Sequence, residues 1–242
     1  MSLSKNHIKL ITSLQQKKYR QKYKLFVAEG VKVVNELLDS DFELELLFAT
    51  NEYKHLSMFD KTVDVSNIEL KKISQLKTPN KVLAVFHIPE SKLIGANGLI
   101  LALDAINDPG NLGTIIRLCD WFGIENLVCS KDTVDCYNQK VVQASMGSLT
   151  RIQIMYTDLQ SYVSSSKLPV FIADMDGENV YKTSLPKEAI LIMGNEANGI
   201  SDEIRALVNA KISIPRFGNT QQTESLNVAT ATAILLSEFK RS

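Results

Sequence analysis

Three short stretches of this 242-residue chain hold the side chains best suited to chemistry. The first is Asn111-Leu112-Gly113-Thr114-Ile115-Ile116-Arg117, which sets an arginine inside an apolar run, where an unpaired charge would be costly to bury. The second is Gly194-Asn195-Glu196-Ala197-Asn198-Gly199, a carboxylate and carboxamides between glycines that allow positive φ or close backbone approach to a ligand. The third is Ser225-Leu226-Asn227. Each stretch taken alone has a plain structural reading. Arg117 could pair with Asp120 three residues on. The glycine-bounded segment could be a strand-to-helix turn with Ser201 as N-cap. Ser-Leu-Asn could do no more than cap a helix.

The elements that must position these groups are legible from pattern. Apolar runs of strand length fall at 99–104, 126–130, 150–154, 169–174, 189–193 and 210–214. Helical segments fall near 111–123, 138–145, 157–165, 201–208 and 225–239, the last apolar nearly all round and therefore buried. Pro109 and Gly110 mark a turn after the first strand, and Asn111 is placed to cap the helix that follows. Alternation of this kind predicts an α/β fold whose mainly parallel sheet has helices on both faces. Glu196, Ser225 and Asn227 then stand at the exits of buried strands, where such sheets bind ligands. No G-x-G-x-x-G and no G-K-[ST] is present, so neither the Rossmann fingerprint nor a P-loop is on offer.

Ahead of these lies a smaller α/β domain, residues 1–90, joined by a linker at 91–98 rich in turn formers. Its elements are read as a helix over Leu3–Lys24 capped by Ser4, strands at Leu25–Val27, Leu44–Ala49, Thr62–Val65 and Val82–His87, and helices over Glu29–Asp39 and Ser66–Leu76. Net charge is zero overall, but residues 1–28 carry seven Lys or Arg and no acid. Residues 1–95 hold 15 bases and 11 acids, net +4, which leaves the remainder at −4. Lys17, Lys18, Arg20, Lys22 and Lys24, interleaved with Tyr19 and Tyr23, suit a phosphate backbone with stacking nearby, or else a solvated helix end. Cys119, Cys129 and Cys136 give neither a disulfide framework nor a C-x-x-C pair, and His7, His55 and His87 lack metal-ligand spacing. No metal is expected. With no apolar run of membrane-spanning length and no apolar leader, the expectation is a cytoplasmic protein that does not engage a membrane.

The three stretches, in order, resemble the three motifs of the SpoU/TrmH family of RNA ribose 2′-O-methyltransferases in the SPOUT superfamily. The likeness covers roughly 99–240 and includes Ser145-Met146-Gly147-Ser148, similar to the family's S-x-G-S region. Phe26-Val27-Ala28-Glu29-Gly30 and Val82-Leu83-Ala84-Val85 resemble, more loosely, its ribosomal-protein-like substrate-binding domain. The loop Gly218–Thr223 and the pair Ala229-Thr230 depart from the usual pattern.

The resemblance implies a sheet closed by a C-terminal trefoil knot, an exception to the rule of unknotted chains. It implies S-adenosylmethionine as methyl donor, bent among loops near Asp174–Gly177, Gly194–Gly199 and Ile214–Leu226. Gly194, Asn195, Glu196, Gly199, Ile214 and Leu226 are the implied cofactor contacts. Arg117 would assist loss of the ribose proton by charge and position rather than as a base. Asn111 would orient the ribose or Arg117, Glu196 would tie the cofactor loop to Asn111, and Ser225 and Asn227 would hold the third loop against the acceptor nucleotide. A homodimer through the C-terminal domain, by its helices 111–123 and 225–239, is implied too. The substrate read this way is RNA, ribosomal RNA before transfer RNA; a non-catalytic RNA-binding assembly factor is the reading from another class. Because all three loops lie beyond residue 99, a fragment of 96–242 is expected to bind S-adenosylhomocysteine by itself if it folds.

Overall fold

A computed structural model describes residues 2–53, 59–90, 95, 97–208, 210–218 and 225–241. Most of the linker (91–94 and 96) and residues 219–224 of the loop before Ser225 therefore lie outside the described residues. The chain packs as two compact units. The first takes residues up to Glu90 together with Asp135–Thr150; the second takes Ser91–Val134 and Arg151 onward.

In the first unit, α1 (Lys5–Ser13) and α2 (Lys17–Tyr23) precede β1 (Leu25–Glu29), α3 (Val31–Leu38), β2 (Leu44–Ala49), β3 (Thr62–Asp64), α4 (Asn67–Ile73) and β4 (Val82–His87). The sheet order is β1-β4-β2-β3, antiparallel except for the β2–β3 pair. One helix was expected over Leu3–Lys24 and two form. Ser4 does cap the first, accepting from the His7 N–H at 3.1 Å. The break at residues 14–16 frees the carbonyls of Leu14 and Gln15, and the Arg20 guanidinium takes both, at 2.8 and 2.9 Å. Arg20 also pairs with Asp135 and is only 3% exposed. Its donors are thus spent inside the unit. It leaves the set of bases that could meet a nucleic acid, whereas Lys17, Lys18, Lys22 and Lys24 remain exposed.

The segment 135–150 belongs to this unit by the chemistry of its contacts. Asp135 holds Arg20, the Tyr137 ring lies 4.9 Å from that of Phe26, and Gln139 donates to the buried Glu29 carboxylate. Glu29 also accepts from Ser74 and from the Gln75 N–H. Burial pushes its carboxyl above the usual range, only partly offset by these bonds. A 96–242 fragment would carry the segment without the strand and helices it packs on.

The second unit contains β5 (Leu99–Leu103), α5 (Pro109–Trp121), β6 (Asn126–Ser130), β7 (Gln153–Thr157), α7 (Leu159–Ser165), β8 (Val170–Asn179), β9 (Ala189–Met193), α8 (Asp202–Arg205), β10 (Ala210–Ser213) and α9 (Val228–Arg241); the intervening α6 (Gln139–Ser145) lies in the first unit. Its six strands, ordered β10-β8-β9-β5-β6-β7, are parallel throughout. Alternate residues of the buried strands face opposite ways. Ile100, Ala102, Val128, Ile172, Ile190 and Ile192 pack with α7 and α8, while Phe171, from the other set, meets Phe239 of α9. Helices therefore cover both faces.

Two strands of this unit differ from expectation by more than one residue. Residues 148–150 form a 3-10 turn in the first unit, so the strand expected at 150–154 begins at Gln153. The strand expected to stop at 174 continues to Asn179, because Lys211 pairs with Ile172 and the next residue, Ile212, with Glu178. Residues 173–177 arch out between. The arch closes against β10 so tightly that a Cβ on Gly177 would come within 2.6 Å of the Ile212 backbone.

Candidate functional site

Strand pairing creates the site. Leu103 of β5 lies opposite Met193 of β9, so the two chains leave the sheet side by side. Asp104 donates its N–H to Met193 O at 2.9 Å. Its carboxylate accepts both the N–H and the hydroxyl of Ser201, at 2.8 and 2.7 Å. Ser201 does stand at the N-cap of α8, but its hydroxyl is turned to Asp104 instead of the helix.

Beyond Asp104 the backbone takes a left-handed turn at Ala105, φ 55°. Such a conformation costs a non-glycine residue free energy and persists where neighbours over-determine it. Here Ser130 Oγ accepts the Ala105 N–H at 2.9 Å and Asn195 Nδ2 donates to its carbonyl at 2.6 Å. Asn195 Oδ1 accepts from Ala197 and Asn198 N–H, and the Asn195 and Gly199 backbones exchange two hydrogen bonds. The whole Asn195 side chain is therefore committed to shaping the 194–199 turn.

Asp108, with Pro109 at the first helical position, caps α5 by accepting from the Asn111 N–H at 2.8 Å. The expected cap, Asn111, is displaced one turn inward and its carboxamide is free for other work. Its Nδ2 donates to Glu196 Oε1 at 2.6 Å, and its Oδ1 accepts from Asn227 Nδ2 at 2.9 Å. Asn227 also caps α9 through Oδ1, which accepts from Ala229 and Thr230 N–H. One chain of carboxamides thus joins the three sequence stretches. Around it lies an open cavity of about 650 Å³ lined by Asn107, Asp108, Asn111, Asn195, Glu196, Ala197, Asn198 and Asn227. Two carboxylates and five carboxamides, with no base among them, suit hydroxyl and amide donors and a positively charged group better than a phosphate.

Other predicted residues stand apart. Ser225 and Leu226 are exposed, Leu226 by 49%, and Ile214 is half-buried at the exit of β10. Arg117 is exposed and has no hydrogen bond or ion pair among the described residues. The alternative Arg117–Asp120 pair does not form: Arg151 takes Asp120 through Nε and Nη2, at 3.0 and 2.9 Å. Nor does Arg117 line the cavity. Six helical residues put it about 9 Å along α5 and roughly 120° around it from Asn111. Instead it shares an exposed stripe with Gly110, Thr114 and Trp121, the last 84% exposed.

The three loops read as cofactor contacts come from neighbouring strands. The arch at 173–177 is in β8, the 194–199 turn follows β9, and Ile214 follows β10. Asp174 Oδ1 accepts from the Asp176 N–H inside the arch. Burial works against the Asp174 carboxylate, but that bond, Arg205 and nearby Lys211 outweigh it and hold the carboxyl below its usual range. The stability it contributes is therefore present above the ordinary aspartate range and fades only as pH falls through the lowered value. Asp104, Ser130 and Arg205 went unremarked in the sequence; an acid closing the apolar run Leu101-Ala102-Leu103 was the one local signal among them.

Comparison with known proteins identifies the family. Residues 98–237 match the model of the SpoU rRNA Methylase family, and residues 5–84 match the MRM3-like substrate binding domain. The chain is 32% identical over 237 residues, 92% of its length and 91% of the relative's, to the 23S rRNA (guanosine(2553)-2′-O)-methyltransferase RlmP of Bacillus subtilis. A TrmH-family structure from Porphyromonas gingivalis superposes with a TM-score of 0.90 at 37% identity, covering 100% of this chain and 99% of that one. An AdoMet-bound rRNA methyltransferase from Sinorhizobium meliloti gives 0.87 at 29% identity, covering 100% and 96%. The chain belongs to the SpoU rRNA methylase family, with an MRM3-like substrate-binding domain ahead of the methylase region.

Proposed function

We infer that this chain transfers the methyl group of S-adenosylmethionine to a ribose 2′-hydroxyl of ribosomal RNA. The observation that carries this reading is the hydrogen-bonded series Glu196–Asn111–Asn227, which unites the family's three motifs in one cavity. The methyl donor supplies an activated sulfonium carbon. The protein's own task is to align the acceptor oxygen with that carbon and ease departure of its proton. The residues present fit such a donor: three adjacent strands offer a closed glycine turn, a strand arch and a loop exit, and the neighbouring cavity carries carboxylates toward a cation. Glu196 fixes the Asn111 carboxamide, Asn111 orients the ribose, and Asn227 ties the start of α9 to both. Ser225 and Leu226 carry the third loop.

Arg117 faces away from Asn111, and we assign it to the site of a second copy. The exposed stripe ending at Trp121 and the half-buried Ile234 of α9 support a homodimer through α5 and α9. Light scattering at micromolar protein should give twice the chain mass; a monomer would remove this assignment. The C-terminal knot of the family is part of the same reading. An experimentally phased backbone trace in which α9 can be drawn out without passing through a loop would refute it. The exposed Lys17, Lys18, Lys22 and Lys24 would meet RNA phosphates. We read the reaction as cytoplasmic.

The relative's name makes a guanosine of 23S rRNA the first nucleotide to examine. Labelled S-adenosylmethionine incubated with the enzyme and total RNA, followed by nuclease mapping, should place the label on a 2′-oxygen of rRNA. Label confined to transfer RNA would support the tRNA alternative. Absence of label, with S-adenosylhomocysteine still bound, would support the assembly-factor reading.

A further inference from the structure

Arg205 bridges two of the three loops read as the cofactor site. It closes the short helix α8, whose sequence is no more than Asp-Glu-Ile-Arg. Its Nε donates to the Ile200 carbonyl, just past the 194–199 turn, at 3.0 Å. Its Nη1 pairs with Asp174 in the β8 arch. The other terminal nitrogen lies directly beneath the turn, 3.3 Å from where a Cβ on Gly199 would stand. Asp174 in turn accepts the Asp176 N–H. A continuous polar series therefore runs from Ile200 through Arg205 and Asp174 to the arch.

The guanidinium is suited to this because its donors diverge in a fixed plane, so it can hold a carbonyl on one side and a carboxylate on the other. The Asp174 side chain is 8% exposed and that of Arg205 is 34%, so the pair is not a solvated surface contact, which would contribute little. Residues 173–177 make no ladder contact; Ser213 Oγ donates to Gly177 O at 2.8 Å at one end of the arch, Arg216 Nη2 meets Met175 Sδ at 2.9 Å near its tip, and Arg205 holds Asp174 at the other end.

We propose that Arg205 is a positioning residue for methyl-donor binding, setting the separation of the Asp174–Gly177 arch from the Gly194–Gly199 turn without itself contacting the reacting atoms. The proposal rests on reading these loops as the donor site. Holding the loops at the bound spacing in advance lowers the ordering cost of binding. A residue with this role affects donor affinity more than the chemical step.

The test uses the full-length protein. Calorimetry with S-adenosylhomocysteine, single-turnover transfer across a range of S-adenosylmethionine concentrations, and ligand-free thermal melts are measured for wild type, Arg205→Ala and Arg205→Lys. Arg205→Ala should weaken S-adenosylhomocysteine about tenfold or more. It should raise the half-saturating donor concentration in parallel, with the rate at saturation within about threefold of wild type. Arg205→Lys can still meet Asp174 but cannot serve Ile200 at the same time. It should melt near wild type yet bind S-adenosylhomocysteine several-fold more weakly, and it decides the matter if the alanine variant does not fold. Either folded variant with wild-type affinity, whatever its melting temperature, overturns the proposal. Wild-type protein that bound no S-adenosylhomocysteine would instead overturn the reading of the loops.

Discussion

Arg117→Ala is expected to slow methyl transfer by about a hundredfold or more while leaving S-adenosylhomocysteine affinity within about twofold. Stability should hold as well. The side chain is exposed and has no bonded partner among the described residues, so its loss should move folding free energy by no more than about 0.5 kcal/mol. Arg117→Lys should recover little, because an ammonium lacks the planar set of donors that a ribose and its phosphate can engage together. Single-turnover kinetics at saturating RNA and donor, alongside melts, make the measurement. Near-normal turnover in a folded Arg117→Ala protein would refute the catalytic assignment.

The helix geometry sharpens this prediction. If Arg117 of one copy serves the cavity of the other, Arg117→Ala and Asn111→Ala chains should complement. A mixed dimer would hold one site with both residues intact and one with neither. Co-expression of the two chains at equal amounts should restore about a quarter of wild-type active sites, since about half the dimers are mixed and half of their sites are whole. If both residues act within one chain, every site carries a lesion and no activity returns. Two affinity tags allow the mixed species to be isolated and assayed directly.

Gly194→Ala should have the largest effect on donor binding. An added Cβ would fall 2.4 Å from the Gly199 carbonyl carbon and 2.6 Å from the Ile200 nitrogen. Both are backbone atoms held in place, Gly199 by its paired bonds to Asn195 and Ile200 by burial. The turn must open, which breaks that pairing and disturbs the Asn195 contact with Ala105. We expect loss of measurable S-adenosylhomocysteine binding and destabilisation of about 1–3 kcal/mol from overpacking. Gly95→Ala, with nothing within 4 Å of the added methyl, is the matching control. Wild-type affinity in a folded Gly194→Ala protein would show that the turn is not part of the donor site.

The parallel sheet was readable because its strands are continuous apolar runs, and Asn126–Ser130 and Ala189–Met193 were delimited to the residue. The convergence of Asn111, Glu196 and Asn227 followed from their motifs. What local pattern could not supply were partners distant in sequence. Nothing near Arg20 marks it as buried; Asp135 lies 115 residues away. The Arg117–Asp120 pairing looked sound by helical spacing and failed because Arg151, 31 residues on, competes for the same carboxylate. Likewise the arch in β8 is created by β10, whose pairing skips residues of its neighbour. A strand's end is therefore not visible in its own composition alone.

The passage of residues 135–150 into the first unit has a consequence for how such proteins can be recombined. Family models divide the chain near residue 90, which invites gene fusions cut once in the linker. A chimera made that way inherits Arg20 and Glu29 from one parent and Asp135 and Gln139 from the other. Unless the second parent supplies matching partners, the buried Arg20 loses its carboxylate and the buried Glu29 loses one of its donors. Exchange of RNA specificity between relatives therefore needs three crossover points, at about 90, 134 and 150, with the internal ribbon travelling alongside the leading domain.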